Sequence, residues 1–79
     1  MGKLHVIGLL EIRVFGRDHR PAHFHALHPD GDALVDISTL AVLRGALPRG
    51  HRRRVLAWAA LNRATLVDEW NRLNPDLSI

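Results

Sequence analysis

Four of the six histidines fall in one run, Arg17-Asp18-His19-Arg20-Pro21-Ala22-His23-Phe24-His25-Ala26-Leu27-His28. His23 and His25 are two apart, so on a strand their side chains leave the same face. Two imidazoles so placed can share a divalent transition metal, with His19, Asp36 or a residue of a second subunit completing the set. They can also do acid–base work, because imidazole titrates near neutrality. In that chemistry His23 and His25 exchange protons with a ribose or phosphate, and Asp36 fixes a tautomer as orienting carboxylates do. Arg13, Arg17 or Arg20 would hold the phosphate, which outlines a metal-independent ribonuclease. A third reading assigns no chemistry: the histidines are exposed or interface residues of a loop and a strand. The residue types leave all three open.

The second group of interest is basic. Ten of the eleven Lys and Arg residues are arginine, and Arg49, Arg52, Arg53 and Arg54 cluster with His51. Forked guanidinium donors suit phosphate or carboxylate, so the cluster is a candidate contact for nucleic acid or an acidic partner. The plainer alternative is a solvated helix start. The formal net charge is +3.

These groups must be positioned by a few elements. From Leu10 to Val14 apolar and polar residues alternate, as in a half-buried strand, and Gly16 ends it. Gly8 allows a bend or a close backbone approach before it. Arg17–Pro21 reads as a connecting loop. Ala22–His28 alternates again, with Phe24 and Ala26 on one face and His23, His25 and Leu27 on the other. His28 has the opposite parity to His25 and should point away. Pro29-Asp30-Gly31-Asp32 is turn chemistry, and Ala33–Ile37 resumes as a strand, so the two should form an antiparallel hairpin. With a four-residue turn, His28 faces Ala33, Ala26 faces Val35 and Phe24 faces Ile37. On the other side His25 faces Asp36 and His23 faces Ser38.

Leu40–Leu43 reads as a short fourth strand, stopped by Gly45 and Pro48. From about Gly50 the period becomes helical, with Val55, Trp58, Ala59, Leu66, Trp70 and Leu73 on one side. The pattern gives one long helix with a candidate interruption near Asn62–Thr65, where Thr65 followed by Asp68 could cap a second short helix. Asn74-Pro75 stops it. The expected fold is α+β in a single domain, residues 1–79. A small antiparallel meander of three or four strands (about 9–15, 22–28, 33–38, 40–44) precedes a C-terminal helix (about 50–73) packed on one face. Phe24, Ala26, Val35 and Ile37 are the face expected to be covered, with Trp58 and Trp70 against it.

Bulk properties narrow the classes. At 79 residues with 47% apolar content, the chain is globular material near the lower limit for a self-sufficient core, which favours a homo-oligomer or a partner. No cysteine means no disulfide framework and no thiolate metal site. The uncharged apolar runs Val6–Leu10 and Val55–Leu61 are far short of a membrane span, and no secretory leader pattern is visible. A cytoplasmic location without membrane attachment is the expectation.

The runs Gly8–Val14 and Asp18–Ala26 resemble the small bacterial family DUF4160. Ile37-Ser38-Thr39-Leu40, Gly45-Ala46-Leu47-Pro48-Arg49, and Val55–Ala59 followed by Trp70 occur in that family's order, so the resemblance spans roughly residues 6–73. Its most specific part is Pro21-Ala22-His23-Phe24-His25-Ala26. Family members are often encoded beside a second small protein, an arrangement similar to a toxin–antitoxin module. The resemblance thus implies a neighbour-encoded partner more strongly than a reaction. Carried over by motif, the candidate residues are His19, Pro21, His23, His25 and Arg49. Ala22 stands where the family usually has a second proline, which loosens the loop before His23. Arg44 stands where an acidic residue is common, which adds positive charge beside Gly45.

Overall fold

A computed structural model describes residues 3–79. Five strands form one antiparallel sheet in sequence order: β1 (Lys3–Ile7), β2 (Leu10–Arg13), β3 (His23–Leu27), β4 (Ala33–Asp36) and β5 (Val42–Gly45). Two helices follow, α1 (Arg49–Leu61) and α2 (Arg63–Leu73), then a single 3-10 turn at Pro75–Leu77. The α+β meander is as expected, with one more strand and one more helix. The added strand is β1. Gly8 takes φ +59 in a two-residue connection, so Ile7 pairs with Leu10 and Val6 with Glu11. A left-handed glycine at the first turn position is what a tight hairpin asks for.

The helix divides at Asn62 rather than being capped by Thr65, which lies inside α2. Asn62 leaves helical geometry at φ −123, and its side-chain Nδ2 donates to the Trp58 carbonyl at 2.8 Å. That bond satisfies one of the carbonyls that a helix end leaves without a partner. The next residue ties α2 to the sheet: Arg63 Nε donates to the Ile37 carbonyl at 3.1 Å.

Alternation decides the faces. Leu10, Ile12 and Val14, Phe24 and Ala26, and Ala33, Val35 and Ile37 form one buried cluster with Val55, Ala59, Leu66 and Trp70 of the helices. The helices therefore cover the Phe24/Ala26/Val35/Ile37 face. Trp70 is fully buried there, whereas Trp58 is partly exposed and stacks on His5 with ring centroids 4.7 Å apart. The other face carries Val6, Glu11, Arg13, His25, Leu27, Leu34 and Asp36, none of them buried.

The β3–β4 register differs from the four-residue turn by two. Ala26 pairs with Ala33, Phe24 with Val35, His25 with Leu34 and His23 with Asp36. The reason is local. The Asp32 carboxylate takes the His28 amide at 3.2 Å, Asp30 donates its amide to His28 Nδ1 at 3.0 Å, and the His28 carbonyl accepts from Gly31. Side chains thus draw His28 out of the ladder and into the turn. A slip of two keeps every side chain on its face, so the core is unchanged. What changes is the partner of each polar residue.

Candidate functional site

The loop between β2 and β3 brings Asp18 onto the histidines. His23 Nε2 lies 3.1 Å from Asp18 Oδ2, His25 Nε2 lies 3.5 Å from the same oxygen, and His19 Nε2 lies 3.6 Å from Oδ1. The rings of His19 and His23 are 5.4 Å apart, and those of His23 and His25 are 5.2 Å apart. His23, His25 and His19 are therefore brought together, as the motif implies. Asp36 is not with them. Its Oδ1 accepts the Ser38 and Thr39 amides at 2.7 and 2.9 Å, a carboxylate closing the β4–β5 turn. Facing His23 rather than His25 across the ladder, Asp36 gives its carboxylate to that turn. Asp18 is the carboxylate that lies among the three histidines.

Several contacts fix these groups. Asp18 Oδ1 accepts the His19 amide at 2.9 Å, which leaves Oδ2 turned to the two strand histidines. The Asp18 amide donates to Asn74 Oδ1 at 2.9 Å, and Asn74 Nδ2 donates to the Phe15 carbonyl at 2.9 Å. Asn74 is itself buried at the end of α2, so the last helix holds both sides of the loop bend. Gly16 allows the approach, since a Cβ there would lie 3.2 Å from the Leu73 carbonyl oxygen. His23 is 2% exposed, its ring 5.5 Å from Trp70. His25 packs edge-on against Phe15 with centroids 4.5 Å apart.

The hydrogen bonds also set the tautomers. His23 Nδ1 lies 2.7 Å from the Pro21 carbonyl and His19 Nδ1 lies 3.1 Å from the Arg20 carbonyl. A carbonyl only accepts, so each Nδ1 carries the proton and a neutral ring has a bare Nε2. Both bare nitrogens point toward Asp18. His25 Nε2 is buried and has no hydrogen-bond partner, its 3.5 Å approach to Asp18 being too long for one. Burial holds the His25 imidazole below its ordinary range, with Asp18 opposing that effect. For Asp18, burial acts upward, but the His19 amide and the surrounding imidazoles outweigh it and leave the carboxyl below its ordinary value.

The basic candidates divide into two groups. Arg17 and Arg20 are exposed in the loop beside Asp18, and Arg13 neighbours His25 across the β2–β3 ladder, where it pairs with Glu11 at 3.1 Å. Arg49, Arg52, Arg53 and Arg54 are exposed on the first turns of α1. That helix start meets the far end of β3, where the His28 and His51 rings pack at a tilt of 34° with centroids 4.1 Å apart. At about 3.3 Å per strand residue, the length of β3 separates the two groups by roughly 15 Å. The arginine cluster does not share a site with His23 and His25.

Asp18 and Asn74 are the residues that sequence reasoning missed. Asp18 directly precedes His19, which was a signal. Asn74 lies 56 positions from Asp18, and nothing local marks it as the loop's anchor.

The sheet's second face offers two shallow grooves that meet at Leu27. One, of about 400 Å³, is lined by Val6, Leu9, Glu11, Leu27 and Pro29 among others. The other, of about 340 Å³, runs past His25, Leu27, Leu34 and Arg44. Leu9 is 71% exposed and Val6 46%, so apolar side chains rim this face.

A small α+β protein with a histidine–aspartate cluster at the rim of a half-covered sheet is the class that fold and site define. The chain belongs to the family described as domain of unknown function (DUF4160), whose model matches residues 10–71. No curated protein and no solved structure matches the chain.

Proposed function

We propose that this protein is a small cytoplasmic binding module that presents the uncovered face of its sheet to another protein, as one component of a two-gene module of the toxin–antitoxin kind. One observation carries the reading: the helices cover a single face, and the other exposes Val6 and Leu9 beside the half-buried Leu27 and Leu34. Apolar side chains lining grooves, with Glu11, Arg13 and Arg44 around them, are the composition of a contact surface rather than of a solvated sheet. The partner is a second copy of this chain or the small protein encoded beside it. Among the described residues no helix is long and apolar enough to cross a membrane.

The test is association in solution. Co-expressed with the neighbouring gene product, the chain should co-elute as a defined complex, and alone it should sediment as an oligomer. Leu9→Asp with Leu34→Asp should abolish either association while circular dichroism stays unchanged. A wild-type chain that is monomeric and ignores the neighbouring product overturns the reading.

Nucleic-acid contact has a specific observation in its favour. Arg49, Arg52, Arg53 and Arg54 are exposed at the start of α1, and the first turn holds no acidic residue. Four cations at the positive end of a helix are unfavourable without an anion nearby. The ribonuclease reading has less support, because His23 is buried with Nδ1 held by Pro21 and cannot reach a substrate as the loop stands.

A further inference from the structure

We propose that Asp18, His23 and His25 form a binding site for one divalent transition-metal ion of the zinc class, with the exposed His19 ring swinging in from beside Asp18 as a fourth ligand. The argument begins with a mismatch of acceptors. His23 Nε2 is bare in the neutral ring, because Nδ1 donates to the Pro21 carbonyl, yet it lies 3.1 Å from a carboxylate oxygen. His25 Nε2 is buried, without a hydrogen-bond partner, and 3.5 Å from the same oxygen. Lone pairs facing one another in a buried place are costly unless something positive sits between them.

The spacing fits a metal ion. With metal–nitrogen and metal–oxygen bonds near 2.0–2.2 Å, ligand atoms on a tetrahedron stand about 3.3 Å apart. The two nitrogen–oxygen separations fall on either side of that value, and the three ligand atoms all lie within 4.8 Å of one another. His19 approaches Asp18 Oδ1 from the exposed side, its own Nδ1 held by the Arg20 carbonyl. Carbonyls on Nδ1 of His19 and His23 are the outer contacts by which metal-binding imidazoles are usually oriented. Two or three imidazoles with one carboxylate select zinc, cobalt or nickel over magnesium or calcium.

The other histidine cluster, His28, Asp30 and His51, has comparable spacing and a buried Nδ1 on His51 without a hydrogen-bond partner, but its carboxylate, Asp30, is exposed. His28 Nδ1 is occupied by the Asp30 amide, and His28 and His51 meet ring against ring. It serves as the internal control.

The probes are Zn²⁺ and Co²⁺ added to the untagged, chelator-treated chain. Wild type should take up one ion per chain, gain thermal stability with Zn²⁺, and give with Co²⁺ the visible absorption of a tetrahedral nitrogen–oxygen site. Asp18→Asn and His25→Gln should lose that uptake, His19→Ala should keep it with weaker affinity, and His28→Gln should leave it unchanged. Should the Asp18 or His25 variant fail to fold, ring-nitrogen NMR of wild type decides. Zn²⁺-dependent shifts at Nε2 of His23 and His25 support the site, and shifts confined to His28 and His51 overturn it. Failure of wild type to bind either ion also overturns it. Equal uptake by folded Asp18→Asn and His25→Gln does the same.

Discussion

The side-chain amide of Asn74 holds the Asp18 amide on its oxygen and the Phe15 carbonyl on its nitrogen, 56 and 59 positions away in the chain. Removing it leaves partly buried backbone groups without these partners, a change that costs about 1–3 kcal/mol. Asn74→Ala should lower stability by that amount in urea unfolding and weaken any ligand held by Asp18, whereas Asn71→Ala should do neither. His25 gives a prediction in pH. Burial depresses its imidazole below the ordinary value, against the pull of Asp18. The unfolded chain then binds the proton first as pH falls below about 6.5, so the folded state loses stability from there down to the pH at which folded His25 protonates. Above that range the contribution is fully present. In chelator-treated protein the urea midpoint should drop between about pH 7.5 and pH 5.5, and His25→Gln should drop less. Equal drops would remove His25 from the account.

At the scale of elements, faces are legible in the sequence and partners are not. Alternation places Phe24, Ala26, Val35 and Ile37 on the covered side, because one buried face constrains every second residue. The two-residue register change comes from Asp32 and Asp30 bonding His28, a competition between side chain and backbone that composition alone does not rank. β1 escapes a reading by alternation because Gly8 is compatible both with a bend before one strand and with the turn between two. The helix break at Asn62 is legible as an interruption, but Thr65 offers the more familiar capping pattern and lies inside α2 instead. α1 carries its own prediction. If its exposed Arg52, Arg53 and Arg54 neutralise phosphates, replacing all three with Ala should weaken binding to single-stranded RNA. It should also flatten the dependence of log K on log salt by about 2, at roughly 0.7 for each phosphate left without its arginine. Unchanged binding at low salt would remove nucleic acid from the function.

Over the whole molecule, a single layer of helix on a single sheet leaves half of the sheet's surface for something else. The histidine–aspartate cluster stands at the edge between these halves: His23 is buried against Trp70, and His25 lies on the open face beside a groove. The fold class and the histidine strand can be read from period and motif. The cluster's carboxylate cannot, because loop geometry set by a residue in a distant part of the chain decides which acid arrives.

That long-range tie has a consequence during synthesis. Strands β1–β5 can pair as they emerge, since each neighbour in the sheet is a neighbour in sequence. The bend carrying Asp18 gains its anchor only when Asn74 has cleared the ribosome and α2 has docked. A nascent chain can therefore own a complete meander and still lack a working histidine cluster. Whatever that cluster binds, it is withheld until translation has passed the last helix.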